Sequence, residues 1–461
     1  MRYRRLIYLS FIAAFLIITP LMIVYTAGYR YNFKKGVFEK TGIIYLDSEP
    51  AGASVWLNGQ LMDATPVRLT GLLPDRYEVA VKKDGYYTWE KKLEVKSNLT
   101  TFDKDIVLFK AEQPAIMHPG GINLLTIAPN RQRLLYSVVA PDGEEIRLFD
   151  FNSQKDSLLK KITSTENLSL QFAGWSPSQT QVLIKRASGV NQDYLLVDCQ
   201  SATVAPLAEI SRVNFQALNW DGTSDNFLYG LAGSALYQID VTQKKTDVIV
   251  SDAVQAFIVS GSNIYTITRE KSDLYLYRLS WFNRATSEPQ KIKLAPSQYA
   301  LELAGPSSLI LRDLVNDDLF IISTDIFTDQ EKNKAEINIG DYIVLQAKAK
   351  NLVWSDDQQK ILYFTDFEIW TFDFISRQKN LVTRYSAPII DAIWYVGEKY
   401  VIYQVGSSVH ATEICCAEAK NDIILNETAE INRLIIDSEG QNLYFSGKIA
   451  EQKGLYKLPL Q

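Results

Sequence analysis

The sequence predicts an all-β body behind one N-terminal transmembrane helix. The body is a small β-sandwich followed by a β-propeller of eight blades, with seven as the alternative count. Three observations predict it. Residues 6–29 hold no charged side chain. Residues 42–109 break into short β-branched and aromatic stretches separated by turn residues. Between residues 121 and 461 one strand–turn–strand form recurs at nearly even spacing. The expected division is a cytoplasmic tail at 1–5, the transmembrane helix at 6–29, a linker at 30–41, the sandwich at 42–109, a linker or closing strand at 110–120, and the propeller at 121–461.

The first element is the helix. Twenty-four helical residues rise about 36 Å, enough to cross a hydrocarbon core of about 30 Å with some tilt. Pro20 falls inside the run, which a bilayer helix tolerates. The exit, Val24-Tyr25-Thr26-Ala27-Gly28, lacks the small-x-small pattern of a cleaved signal peptide, so a retained anchor is expected. Arg2, Arg4 and Arg5 precede the helix and Arg30, Lys34 and Lys35 follow it, so flanking charge barely orients it. A five-residue tail stays easily in the cytoplasm. The expected topology is a single pass of the cytoplasmic membrane with the body outside.

The sandwich comes next. "SVWLNGQ" alternates Val55 and Leu57 with polar neighbours and ends on Asn58-Gly59, the strongest short hairpin signal. Thr65-Pro66, Leu73-Pro74-Asp75 and Asp84-Gly85 supply further turns, and Tyr77, Val79 and Val81 share one face. These features predict antiparallel strands packed as two sheets. The motif order resembles the PEGA domain: Pro50-Ala51-Gly52-Ala53, Val55 to Asn58-Gly59, Thr65-Pro66, Leu73 to Val79, and Gly85-Tyr86. Ala51 stands where the signature has glutamate, and Asp75 where it has glycine. The resemblance covers about 15% of the chain. It implies a surface or envelope module with no catalytic residues, of the kind found in membrane-anchored bacterial proteins.

The repeat fills the rest. "FAGWSPSQTQVLIK", "ALNWDGTSDNFLYG" and "NLVWSDDQQKILYF" share one form, with variants at 124–137, 391–404 and 433–446. Ile127, Trp175, Trp220, Ile258, Leu303, Trp354, Trp394 and Ile436 then stand at spacings of 48, 45, 38, 45, 51, 40 and 42. Units of about 40–45 residues with four strands are propeller blades. Trp175, Trp220, Trp354 and Trp394, recurring at blade spacing, are expected to pack between blades. The last unit lacks an outer strand, which residues 105–116 are expected to supply. The turns "WSPSQ" and "WSDDQ" resemble those of TolB-like and prolyl-oligopeptidase-type propellers, a resemblance that carries no function by itself.

Chemistry is sparse. A net charge of −5 and a pI near 5.4 argue against nucleic acid as a partner. Cys199, Cys415 and Cys416 have no zinc spacing and read as buried thiols, with a bridge from Cys199 to either of the others left open. His118 reads as a turn residue in a linker and His410 as a strand residue. Asp221, Asp225, Asp317-Asp318 and Asp356-Asp357 sit at blade turns without a calcium-loop pattern. Asn98, Asn167 and Asn426 begin N-x-S/T triplets. No catalytic residue, metal ligand or cofactor is expected. The function expected is a non-enzymatic, membrane-anchored, extracytoplasmic binding or scaffold protein of the cell envelope. Its expected partners are the lipid bilayer through residues 6–29 and an envelope protein or cell-wall glycan. The alternative is an enzyme acting on a surface polysaccharide or peptide in the propeller's central funnel.

Overall fold

The computed structural model describes residues 2–163, 168–188, 191–261, 263–280, 290–303, 307–328, 338–414, 420–427 and 429–461. Cys415, Cys416 and Asn167 lie outside the described residues. The N-terminal helix α1 (Arg2–Thr26) runs through Pro20, and none of its Ile7–Thr26 window is buried by the other described residues. Those 20 residues span about 30 Å. The helix stops three residues before the boundary expected from the sequence, because Gly28 turns left-handed at φ +83°.

Residues 30–41 are not a linker. They complete a hairpin of β1 (Tyr29–Asn32) and β2 (Val37–Lys40), with Tyr31 opposite Phe38. Its turn is capped by the Asn32 side-chain oxygen, which accepts from the amides of Lys34 at 3.0 Å and Lys35 at 3.2 Å.

The sandwich follows. One sheet holds β3 (Gly42–Glu49), β6 (Val67–Leu72) and β9 (Thr100–Val107), in the order β6-β3-β9. The other holds β4 (Ser54–Leu57), β5 (Gln60–Ala64), β7 (Arg76–Lys82) and β8 (Trp89–Glu94), in the order β5-β4-β7-β8. Alternation along β3 sends Ile44 and Leu46 inward against Val55, Val81 and Trp89. One expectation is corrected: the strands are not all antiparallel. β9 pairs parallel with β3, from Ile43 opposite Thr100 to Glu49 opposite Val107. The intervening chain crosses through the second sheet and so returns to β3 from the same end. Both strands therefore run away from α1 and leave the sandwich at its far end.

Beyond it, among the described residues, eight four-stranded sheets form a ring, with first strands at residues 122, 168, 217, 254, 299, 351, 389 and 429. Numbered in that order they are blades 1 to 8, with strands a (inner) to d (outer). Each sheet buries both faces against its neighbours, so its strands carry apolar runs rather than strict alternation. One apolar cluster fills each of the eight gaps between neighbouring blades. Tyr444 and Leu455 of blade 8 meet Leu134 and Tyr136 of blade 1, so the ring is closed.

The closing strand is β10 (Ala115–Pro119), which pairs antiparallel with Gln452–Pro459 as the outer strand of blade 8. The expected segment, 105–116, is thus displaced. Ile106 and Leu108 are claimed by the sandwich core, so the chain is free to join the blade only from Ala115. His118 consequently lies in a strand and not in a linker turn.

Candidate functional site

The motif residues of the sandwich shape its turns. Asn58 and Gly59 both take positive φ, 49° and 79°, as a two-residue hairpin turn between twisted strands requires. The Asn58 side chain also accepts from the Glu78 amide at 2.9 Å. At the opposite end, the Thr65 hydroxyl accepts from the Ala53 amide at 3.0 Å and meets Ser48 Oγ at 2.7 Å. Pro50 and Pro66 follow cis peptide bonds, the Ala51 carbonyl accepts from Lys83 Nζ, and the Gly52 amide donates to Thr65. Gly85 and Tyr86 bind the departing chain: the Gly85 carbonyl accepts from Ala111, and Tyr86 bridges Lys110.

The tryptophans reach backward around the ring. Trp175 Nε1 donates to Thr126 Oγ1 (3.4 Å), Trp220 Nε1 to the Gly174 carbonyl (3.2 Å) and Trp394 Nε1 to the Val353 carbonyl (3.0 Å). Each acceptor sits one residue before the equivalent position of the preceding blade. Trp354 instead stacks on Phe374 at 5.1 Å, and its Nε1 has no partner among the described residues.

The residues brought together from furthest apart lie where the sandwich meets blades 7 and 8. Phe109 leaves the sandwich fully buried, edge-on to Tyr395 at 5.2 Å and to Tyr400 at 5.4 Å. The Lys110 amide donates to the Leu460 carbonyl and Gln461 Nε2 to the Leu108 carbonyl. Beside them Lys91, 3% exposed, is 2.8 Å from Glu413 and 3.0 Å from Asp103. Glu413, 4% exposed, also accepts from Trp89 Nε1 at 2.6 Å and the Tyr400 hydroxyl at 3.0 Å. Burial works against the Lys91 ammonium, but the hydrogen bond and charge of Glu413 and the charge of Asp103 outweigh it and hold the group above the ordinary lysine range. Burial lifts the Asp103 carboxyl above its usual value, against the pull of Lys91.

Next to this network is an open groove of about 650 Å³, between Tyr87, Thr88 and Gln113 on one side and the outer strand of blade 7 (Asp422–Asn426) on the other. Asn421, only 8% exposed, lines it, and its Nδ2 has no hydrogen-bond partner among the described residues. Buried donors are nearly always paired, so an unmatched one in a groove calls for an acceptor. The carboxylates of Asp422 and Glu427 complete a wall suited to hydroxyl- or amide-rich ligands.

Behind the groove lies a polar cluster. Asp422 accepts from the Tyr403 hydroxyl at 3.0 Å and from Thr412, and meets His410 Nδ1 at 3.0 Å. Burial would raise the Asp422 carboxyl, but His410, Thr412 and Tyr403 outweigh it and hold the group below the usual aspartate value. Ser408 Oγ stands 3.1 Å from both His410 Nε2 and the Val405 carbonyl oxygen. Ser408, His410 and Asp422 therefore follow one another as in a hydrolase triad, a juxtaposition the sequence reading missed. The imidazole, however, is 6% exposed and stacked on Tyr403 at 5.3 Å, and the serine is shared with a backbone acceptor. A triad needs an exposed nucleophile facing oxyanion donors.

Of the turn carboxylates, Asp221, Asp225, Asp356 and Asp357 have protein partners. Asp225 accepts from Ser176, Ser178 and Thr180; Asp221 accepts from Tyr229; Asp357 accepts from Ser355. Asp356 pairs with Arg131 at 2.7 Å. Arg131 belongs to blade 1 and Asp356 to blade 6, which are not neighbours, so this pair crosses the mouth of the channel. Among the described residues no three His, Cys, Asp or Glu side chains gather as a metal site. Cys199 is buried. Asn98 is exposed, whereas Asn426 is 5% exposed and closed to modification in the folded chain.

The fold thus defines a sandwich-and-propeller protein with an apolar N-terminal helix. Residues 41–110 match the PEGA domain family. No curated protein matches the chain. Among solved structures it is similar to the Dos1 propeller, with 12% identity and a TM-score of 0.47 over 76% of this chain and 96% of that one. It is also similar to the dihydro-heme d1 dehydrogenase NirN in complex with DHE, with 11% identity and a TM-score of 0.48 over 75% and 78%. Kluyveromyces lactis Hsv2 gives 8% and 0.40 over 73% and 99%. At such identities and scores these likenesses bear on neither the chemistry nor the partners of this chain.

Proposed function

We propose that this chain is a membrane-anchored, extracytoplasmic scaffold of the cell envelope, without enzymatic activity, whose propeller is held in a fixed pose to bind a protein or glycan. The observation that carries this reading is the buried Lys91–Glu413–Asp103 network, which joins the sandwich to blade 7 as one body. Such a network is costly to bury and is retained where a single geometry matters. α1 supports an anchor, because none of its Ile7–Thr26 window is buried by the other described residues and its apolar side chains suit hydrocarbon. The sandwich sets the distance: eight residues of β3 advance about 26 Å from the anchor. It attaches at the a–b turn and the end of strand c of blade 7, through Tyr395, Tyr400 and Glu413, and at Leu460 and Gln461 after strand c of blade 8, leaving the b–c turns at the distal side.

The groove beside Asn421 and Asp422 is the site assigned to the partner. The test uses the full chain in lipid nanodiscs, sedimented with isolated cell-wall material. Saturable pelleting that is lost in Asn421→Leu and Asp422→Asn supports a glycan partner in the groove. Pelleting unaffected by both variants moves the site to the distal turns. A chain that never pellets has a protein partner or none. Labelling of Ser408 by a fluorophosphonate would overturn the non-enzymatic reading in favour of an acyl-transfer enzyme.

A further inference from the structure

The hairpin Tyr29–Lys40 presents an aromatic face to solvent. Residues alternate across a strand, so Tyr29 and Tyr31 share one face, joined by Phe38, the cross-strand partner of Tyr31, and by Phe33 of the turn, whose ring packs on Tyr31. Tyr31 meets Phe33 edge-on at 5.0 Å and Phe38 at 5.2 Å. Phe33 nevertheless remains 88% exposed and Phe38 55%. The exposure is built in, since the turn that carries Phe33 is capped by Asn32 and closed by the Gly36 amide on the Asn32 carbonyl. A two-stranded hairpin with so much bare aromatic surface is marginal in water and needs a cover.

Its position names the cover. Tyr29 and Phe38 border a recess completed by Pro20, Leu21 and Val24 of α1. Those helix residues lie in the last two turns before Thr26, at the level where a spanning helix leaves hydrocarbon for headgroups. Interfacial aromatic belts occupy this depth. The charge agrees: Arg30, Lys34, Lys35 and Lys40 face a single acid, Glu39, within the hairpin. Among the described residues the Lys34 and Lys35 ammonium groups are held by one ion pair each, an exposed one to Asp75 at 3.4 Å and a partly exposed one to Glu39 at 2.9 Å, which phosphate groups can replace.

Resting on the anchor reading of α1, we propose that the Tyr29–Lys40 hairpin is a second membrane contact. Its aromatic face lies in the interfacial layer of the leaflet from which α1 emerges, and Lys34 and Lys35 lie against anionic headgroups. Two contacts at different points fix the tilt of the sandwich, which a single helix ending at Thr26 leaves free to pivot.

The test is photo-crosslinking of the full chain in vesicles of phosphatidylcholine and phosphatidylglycerol, doped with a phospholipid bearing a diazirine high on one acyl chain. Adducts are mapped by mass spectrometry. The expected result is adducts on both α1 and the peptide carrying Phe33 and Phe38, with none on Ile375 of blade 6, which is 73% exposed and equally apolar. Phe33→Ser should lower hairpin adducts roughly fivefold while leaving those on α1 unchanged. Lys34→Glu with Lys35→Glu should lower them only when phosphatidylglycerol is present. Adducts on α1 without any on the hairpin overturn this inference alone. A helix without adducts overturns the anchor reading and the inference together.

Discussion

The two ends of the sandwich are joined to their neighbours by opposite means. At the propeller end, the buried Lys91 and Glu413, the part-buried Asp103 and four buried aromatic rings come together, drawn from residues 89–109 and 395–413. At the anchor end the ties are few and wet. The Thr41 amide and hydroxyl meet the Gly28 carbonyl at 2.9 and 3.0 Å, and Lys34 pairs with Asp75 in solvent. Buried charges hold one geometry, because any other arrangement strands them, whereas exposed pairs hold almost none. Sandwich and propeller therefore move as a unit, and compliance is concentrated between that unit and the helix.

The largest effect that could break this comparison is Glu413→Ala. It leaves Lys91, Trp89 and Tyr400 without their shared acceptor and should cost about 3–5 kcal/mol in urea unfolding of the detergent-solubilised chain. Replacing Lys91 with Met and Glu413 with Leu together should restore only part of that loss, because Trp89 Nε1 and the Tyr400 hydroxyl still lack their acceptor and Asp103 its cation. A cost below about 1 kcal/mol for Glu413→Ala would remove the distinction between the two ends.

At the anchor end, Gly28→Val forces a β-branched side chain into φ +83° and should cost about 1–2 kcal/mol locally. Hydrogen exchange should show it as faster opening of the 29–40 amides, with exchange across the 89–109 junction unchanged.

The groove sharpens the comparison through pH. The folded-state value of Asp422 is depressed, so its stabilising contribution is present above the ordinary aspartate value of 3.8 and is lost as pH falls through the lower folded value. The difference in denaturant midpoint between the wild type and Asp422→Asn should close as pH drops from about 5 towards 2. A difference constant over that range would show that Asp422 does not act through its charge.

The smallest effect is Lys399→Ala. Its pair with Asp105, 3.1 Å across the same junction, has both side chains more than half exposed. Its removal should cost less than about 1 kcal/mol, in contrast with the buried network only a few residues away.

Much of the fold was legible because its signals are local and repeated. The 38 to 51 residue spacing fixes the blades, and Asn58-Gly59 fixes a hairpin. The parallel pairing of β3 with β9 was not legible, since each strand reads the same in either direction. The hairpin at 29–40 was hidden by its shortness and by Lys34 and Lys35, which look like any solvated connection. Lys91 and Glu413 lie over 300 residues apart, and no local pattern pairs them. One signal did exist. Strand c of blade 7, "SVHATE", carries serine, histidine and threonine on one face, where its counterparts "YLLVD" and "IWTFD" are largely apolar. A strand flanked by blades on both sides must give such groups partners. Those partners are Asp422, Tyr403 and Tyr385.

The closing strand also sets a schedule for biosynthesis. Ala115–Pro119 emerges directly after the sandwich but pairs with Gln452–Pro459. At about 5–20 residues per second, its partner follows only after tens of seconds. The sandwich, whose contacts lie within 70 residues, can be complete long before. During that wait blade 8 does not exist, and blades 1 to 7 stand as an open arc in which Phe109 has Tyr395 and Tyr400 but not the blade 8 side of its pocket. A premature stop within Gln452–Pro459 would remove the ring's last strand and, with Leu460, a backbone tie to Lys110. Quality-control proteases should therefore read such a truncation as an unfinished propeller tethered to a finished stem.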